Sequence, residues 1–374
     1  MQFIDLKTQY ARLKSDIDNR IAAVLDRQAF IQGPEVRELE AALAEFSGAA
    51  HVVSCANGTD ALQLALMALE IGPGDAVFVP SFTYTATAEV ILLLGASPIF
   101  VDVDADTFNV DFDSIEAAIG KVRAEGKLRP AALLTVDLFG QPVDYERARA
   151  LADEHGLAFI SDAAQGFGAD FHGKRIGSAL ADITTTSFFP AKPLGCYGDG
   201  GAIFTDNGEH AEIMRSICLH GKGTAKYDVV RVGVNSRLDT LQAAILLPKL
   251  AVFPDELERR NEVANSYIER LRDHVATPLA PPQGSRYAWA QFTVKVDDRD
   301  AVQARLKESG VPSNVYYPRP MHLQPAYLKF GDGAGSLPVS EHLSDVVLSL
   351  PMHPYLTIEE IDQVCSSLVA AVRG

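Results

Sequence analysis

Seven short strand-like runs recur between His51 and Thr205, most of them separated by stretches with helical spacing. They are His51 to Ala56, Ala76 to Val79, Pro98 to Val103, Ala132 to Leu138, Ala158 to Ile160, Thr184 to Phe189 and Ala202 to Thr205. Runs this short and this apolar have no face to offer to water, so they belong in a sheet covered on both sides. Strands that alternate with helices pair in parallel through helical crossovers. The pattern therefore predicts an α/β fold, with binding groups gathered beyond the carboxyl ends of the strands.

The intervening helices are expected at residues 8 to 27, Glu35 to Phe46, Ala61 to Leu69, Thr85 to Leu94, Ser114 to Arg123, Asp144 to His155 and Asn207 to Leu219. A long helical stretch runs from Leu241 to about Arg272, with breaks expected near Pro248 and Pro254. The proline-rich stretch Thr277 to Pro282 reads as a loop. Beyond it lies a smaller α+β unit: a strand at Gln291 to Val296, a helix at Asp300 to Ser309, and a short strand at Val315 to Tyr317. Thr357 and Glu360 form a capping-box signal that opens a last helix. A chain of 374 residues exceeds one core, so two domains are expected, 1–250 and 251–374, with the N-terminal helix 8–27 placed to pack on the second.

The net charge of −16 disfavours a general role on nucleic acid or on an anionic membrane surface. No uninterrupted apolar run reaches the roughly 18 residues of a membrane span. The four cysteines form no C-x-x-C pair and the nine histidines no H-E-x-x-H, so neither a metal site nor a disulfide scaffold is expected. Reduced thiols fit a cytoplasmic protein.

The chemistry concentrates where the strand-like runs end. After Thr184 to Phe189, Lys192 stands between Pro190 and Pro193, and the glycines 195, 198, 200 and 201 follow. The prolines forbid a regular helix across the lysine, and the glycines let the chain pass close to a bound group. A lysine held this way suits a Schiff base with an aldehyde cofactor; taken alone it reads more readily as a solvated lysine in a turn. Asn57, Gly58, Thr59 and Asp60 join a strand to an apolar helix, which leaves backbone N–H groups free to seat a phosphate, or else forms a plain cap by Thr59 or Asp60. Asp162 follows an apolar strand and needs a cationic partner, such as a protonated pyridine nitrogen, unless it only caps a turn. Tyr84, at another strand end, could stack on a flat ring or belong to the core.

These motifs, taken in order, resemble the DegT/DnrJ/EryC1/StrS family of pyridoxal-phosphate-dependent nucleotide-sugar aminotransferases. The carriers are Asn57 to Leu62, Pro80 to Tyr84, Asp162 to Gln165, Ser187 to Pro193, Gly198 to Gly201, Gly233 to Asp239 and Leu350 to Tyr355. The stretches Phe188 to Gly201 and Arg231 to Leu250 are most similar to the branch that aminates C3 of a UDP-linked 2-acetamido-3-oxo-glucuronate with L-glutamate as donor.

The resemblance implies a fold-type I aminotransferase, with a seven-stranded, mostly parallel sheet between helices and a smaller α+β C-terminal domain. It implies that Lys192 tethers pyridoxal 5'-phosphate and later moves the proton, and that Asp162 pairs with the ring nitrogen. Gln165 would bond the phenolic oxygen, Tyr84 would stack on the ring, and Gly58, Thr59 and Ser187 would hold the phosphate. Asn235 would reach the phosphate from the neighbouring subunit, which implies a homodimer with shared active sites. Arg237, Tyr316, Tyr317, His220 and Arg319 are the candidates for binding the UDP-ketosugar and glutamate, with Lys222 and Arg231 as further cations. The presence of Lys192, where some relatives carry histidine, disfavours a dehydratase.

Overall fold

The computed structural model describes residues 1–225 and 227–374. Two helices come first: α1 (Leu6–Arg27), capped by Asp5, and α2 (Pro34–Ser47), which starts on proline. The first half of the sheet follows as β1 (His51–Cys55), α3 (Gly58–Ala68), β2 (Asp75–Pro80), α4 (Ala86–Leu93), β3 (Ser97–Val101), α5 (Phe112–Glu125) and β4 (Arg129–Val136). Next are α6 (Tyr145–His155), β5 (Ala158–Asp162), a two-residue pair β6 (Asp170–Phe171) and β7 (Lys174–Arg175), then β8 (Ile183–Ser187), β9 (Gly201–Thr205) and α7 (Gly208–Cys218). The strand-like runs of the sequence are thus all strands of one seven-stranded sheet, in the order β1-β9-β8-β5-β4-β2-β3. Its pairings are parallel from β3 to β8, and only β9 runs against the rest. The carboxyl ends of β1, β2, β4, β5 and β8 therefore share one edge.

The sheet is buried on both faces, as its near-continuous apolar runs require. One face packs on α2, α5, α6 and a later helix, α8 (Thr240–Leu271), through residues such as Leu39, Phe78, Leu133 and Phe159. The other packs on α3, α4 and α7 through Leu64, Val77, Leu134 and Met214.

α8 (Thr240–Leu271) is 32 residues long and unbroken, with Pro248 and Pro254 both inside it. The expected breaks do not occur. Each proline forfeits a backbone bond at a cost of about 3 kcal/mol. Burial of Leu246, Leu250, Phe253 and Leu257 against the sheet offsets that, since each fully buried side chain contributes about 1.5–3 kcal/mol. α1 lies along this helix through Leu13, Ile17 and Ile245.

The last third forms its own core around Tyr267, Phe292, Val294, Leu348 and Leu368. It comprises β10 (Phe292–Lys295), α9 (Arg299–Glu308), α10 (Pro338–Val346), β11 (Val347–Leu350) and α11 (Ile358–Arg373). The capping box at Thr357 and Glu360 is present. The expected strand at Val315 to Tyr317 is absent; β10 pairs with β11 instead, and Asn314 alone exchanges backbone bonds with Ser349. Pro312 and Pro318 bracket that segment and supply no N–H for a ladder.

His353, 2% exposed between α8 and the N-terminus, has its ring pushed down to about 4 by burial and by the Arg260 charge. The unfolded chain takes a proton on this ring near pH 6.5 and the folded chain does not, so folding stability falls as pH drops from 6.5 towards 4. That loss is on the order of 3 kcal/mol. Urea titrations of His353→Gln between pH 7 and pH 4 should show a correspondingly flatter decline than the parent.

Candidate active site

Strand register sets the level of the site. Ser187 at the end of β8 pairs with Gly201 of β9, and Gly201 pairs with Cys55 at the end of β1. The first turn of α3 therefore starts beside Ser187. Asn57 caps that helix by accepting the Asp60 N–H at 2.8 Å, so the cap is neither Thr59 nor Asp60. The Gly58 and Thr59 amides stay available at a helix N-terminus, where the dipole favours an anion. Glycine is required at 58, because a Cβ there would lie 2.6 Å from the Cβ of Ser187. The Ser187 hydroxyl accepts the Phe189 N–H at 3.2 Å and keeps its own proton to donate. Two amides and a hydroxyl thus converge in a cradle that fits a phosphate.

Asp162, the last residue of β5, is 6% exposed. Its carboxylate accepts the Ala164 N–H at 3.1 Å and the Thr87 hydroxyl at 2.9 Å. Burial pushes the Asp162 carboxyl up, while the Ala164 amide, the Lys192 charge and the Thr87 hydroxyl pull it back. Lys192 sits in the turn after β8, with its N–H bonded to the Phe189 carbonyl at 2.8 Å. Burial pushes its amine down from 10.5, against the pull of Asp162. A carboxylate seeking a cation and an amine driven toward neutrality lie near enough for each to act on the other's charge. That is the donor set a pyridinium ring and an aldehyde require.

Gln165 forms the wall next to them. Its carbonyl oxygen accepts the Phe139 N–H at 2.7 Å, which fixes the orientation of the amide. Its NH2 group donates to the Tyr317 hydroxyl at 3.2 Å, with a second N–H to spare. Tyr317 stands against Phe82 and Tyr84, at ring separations of 6.2 and 6.3 Å. Tyr84 is 56% exposed, so its ring lies outside the core.

Of the other predicted residues, Tyr316 adjoins this group through Tyr317 and also packs beside Phe3. Arg319 is exposed on the loop that follows. His220 and Asn235 are exposed, and Arg237 is half-buried. The 235–237 segment is tied to this chain's own β1 end, where the Ser236 hydroxyl accepts the Ala56 N–H at 3.2 Å.

Sequence reasoning missed three supporting groups. Thr87 and Thr83, joined at 3.2 Å, form a hydroxyl chain to Asp162. Thr87 was visible as one of two polar residues, with Glu89, in a mostly apolar helix. Asp137, fully buried behind Asp162, accepts the Tyr145 hydroxyl at 2.7 Å and the Val143 N–H at 2.9 Å. Burial pushes Asp137 up to about 7, and the Asp162 charge adds to that.

Known proteins share this architecture. The chain is 49% identical over 369 residues to a UDP-2-acetamido-2-deoxy-3-oxo-D-glucuronate aminotransferase of Pseudomonas aeruginosa, spanning 98% of this chain and 99% of that one. A crystal structure of a DegT DnrJ EryC1 StrS aminotransferase from Brucella abortus superposes with a TM-score of 0.97 at 49% identity, over 100% of both chains. The structure of NtdA from Bacillus subtilis with bound cofactor PMP superposes at 0.86 and 32% identity, over 100% of this chain and 83% of that one. Fold and neighbours together define an aminotransferase that works with pyridoxal 5'-phosphate. The family model for the DegT/DnrJ/EryC1/StrS aminotransferases matches residues 11–369, and the chain belongs to that family.

Thr87→Val removes one of the two donors on the Asp162 carboxylate and leaves the fold of α4 intact. A lost hydrogen bond to a charged group is worth about 1.5–3 kcal/mol. Turnover should fall by roughly tenfold or more, and the acid-side limb of its pH profile should move up, read from initial rates between pH 5 and pH 9.

Proposed function

We propose that this enzyme transfers the amino group of L-glutamate to C3 of a UDP-linked 3-keto-N-acetylhexuronic acid. The product, a UDP-2-acetamido-3-amino-uronic acid, is a precursor for bacterial surface polysaccharide of the O-antigen, lipopolysaccharide type. The observation that carries this reading is the full-length similarity to the Pseudomonas enzyme named for that substrate. The Asp162–Lys192 arrangement supports the chemistry.

The cofactor, when bound, supplies an electrophilic carbonyl and a ring that accepts electrons. Gly58, Thr59 and Ser187 would hold its phosphate through N–H and hydroxyl donors. Asp162 would keep the ring nitrogen protonated, a charge pairing that its buried position strengthens. Gln165 would donate its spare N–H to the phenolic oxygen, and Tyr84 would cover one ring face. Lys192 would carry the cofactor and, once released as a neutral amine, move the proton at the carbon being aminated. Its lowered pKa suits that task, because a protonated amine cannot act as a base. Tyr316, Tyr317, Arg237, His220 and Arg319 would line the sugar and carboxylate subsites, where arginine can grip a carboxylate with two bonds.

The reading includes a cytoplasmic homodimer with shared sites and a division into 1–250 and 251–374. Val229, Val230 and Val232 are 68%, 53% and 86% exposed, a few residues before Asn235 and Arg237. Apolar exposure of this kind marks a protein contact. Asn235 and Arg237 would then act in the partner's cleft. Among the described residues, no helix is long and apolar enough to cross a membrane.

Three experiments test these readings. Lys192→Ala should lower turnover by at least about a hundredfold and abolish the borohydride-reducible adduct; retention of both would falsify the assignment. Incubation with glutamate and a panel of UDP- and dTDP-ketosugars, read by mass spectrometry, should show an added amine on the 3-keto-uronate. Preference for a 4-keto-6-deoxy sugar would instead assign the same chemistry to another nucleotide sugar. Finally, mixing Lys192→Ala with Arg237→Ala subunits should restore activity, because each hybrid dimer then has one intact site. Two inactive parents that stay inactive on mixing would place Arg237 in its own subunit's site.

A further inference from the structure

Lys249 is buried to 1% exposure in the middle of α8, a setting lysine rarely occupies. Its Nζ donates to the carbonyl of Gly195, three residues after Lys192 in the same turn. The ammonium lies 4.7 Å from the centre of the Tyr197 ring. This turn has no slack: a Cβ on Gly195 would lie 2.5 Å from the Pro190 carbonyl oxygen and 2.7 Å from that of Phe189. Its other ties are the Lys192 N–H to Phe189 and the Cys196 N–H to Phe188, both at 2.8 Å. The Gly195 carbonyl faces the interior, where an acceptor without a donor is costly.

We propose that Lys249 is a positioning residue for the catalytic turn, holding Pro190 to Gly195 in the conformation that aims Lys192 at Asp162. The proposal rests on the reading of Lys192 given above. The same helix continues into a buried polar group centred on Glu256, which is 1% exposed. Glu256 accepts both Gln9 bonds, at 2.9 and 3.1 Å, and the Tyr355 hydroxyl. Burial pushes Lys249 down to about 8, while Glu256 and Cys196 pull it up. Among the described residues, Asp162 is the charged group whose field acts on Lys192, so Lys249 works through the backbone. Glu256 thereby links α1 and the Met352 to Tyr355 loop to the lysine that holds the turn.

A charge is an expensive way to fill this space. Lys249→Met leaves the Gly195 carbonyl without its donor, and relief of the buried ammonium's desolvation offsets that loss. If Lys249 were only packing, Lys249→Met would be silent. A positioning role instead predicts that function and stability separate. Lys249→Met holoenzyme should melt within a few degrees of the parent or above it, keep its KM for glutamate within about threefold, and lose at least about tenfold in kcat. Pyridoxal phosphate added to the apoprotein should also attach to Lys192 more slowly by a similar factor, read by borohydride trapping and mass spectrometry at timed intervals. Should Lys249→Met fail to fold, Lys249→Gln, with a donor on a shorter arm, should show the same split at smaller size. Parent-like kcat and trapping rate in a folded variant overturn the proposal, and so does a kcat that falls only in step with melting temperature. If borohydride fails to trap Lys192 in the parent itself, the reading of Lys192 falls; if it traps there and the variants behave as the parent, only the role of Lys249 falls.

Discussion

The structure depends on keeping one acid and one amine out of water without neutralising both. Asp162 and Lys192 are each pushed toward their uncharged form by burial, and each partly restores the charge of the other. Separately, either would be a liability in an apolar sheet edge. Together they form a poised pair that a cationic ring can enter. The surrounding elements serve that end: the Thr83–Thr87 chain and the Ala164 amide fix the carboxylate, and the two prolines with Gly195 fix the amine.

Placement of the pair follows from sheet topology. Parallel strands deliver their carboxyl ends to one edge, so residues far apart in sequence arrive at one level. Asp162 lies beside Thr185, two residues before Ser187, and Ser187 lies level with Cys55 through Gly201. The phosphate cradle, the acid and the lysine are therefore spaced by the sheet's own repeat, and side-chain flexibility contributes little. The wall formed by Gln165 and Tyr317 is different in kind. It joins the sheet to the loop before the C-terminal helices, and one amide orientation, set by the Phe139 N–H, governs it.

Most of this was legible in the residues because strand ends, turn glycines and lone polar groups carry strong local signals. Asp162 ended an apolar run, Lys192 stood between two prolines after a strand, and Gly58 lay in a strand-to-helix turn. Thr87 interrupted an apolar run too, yet a threonine in a helix has many explanations, and only the fold shows what its hydroxyl meets. Asp137 and Lys249 were not legible, since their meaning lies in burial beside the Tyr145 hydroxyl and in a carbonyl 54 residues away. The prolines in α8 misled for a related reason: the local penalty is real, but long-range packing outweighs it. Tyr316 and Tyr317 looked strand-like by type, whereas flanking prolines and the cleft determine their course.

The reversed strand has a consequence for how the protein is made. β1 touches the sheet only through β9, and His51 pairs with Thr205. A nascent chain emerging from the ribosome can pair β2, β3, β4 and β5 early, but β1 has no strand partner until β9 emerges. Synthesis must therefore proceed past Thr205 before β1 is fully paired, by which point the lysine turn has also emerged. Contacts of such sequence separation form slowly, so the α3 amides and the Lys192 turn come together late.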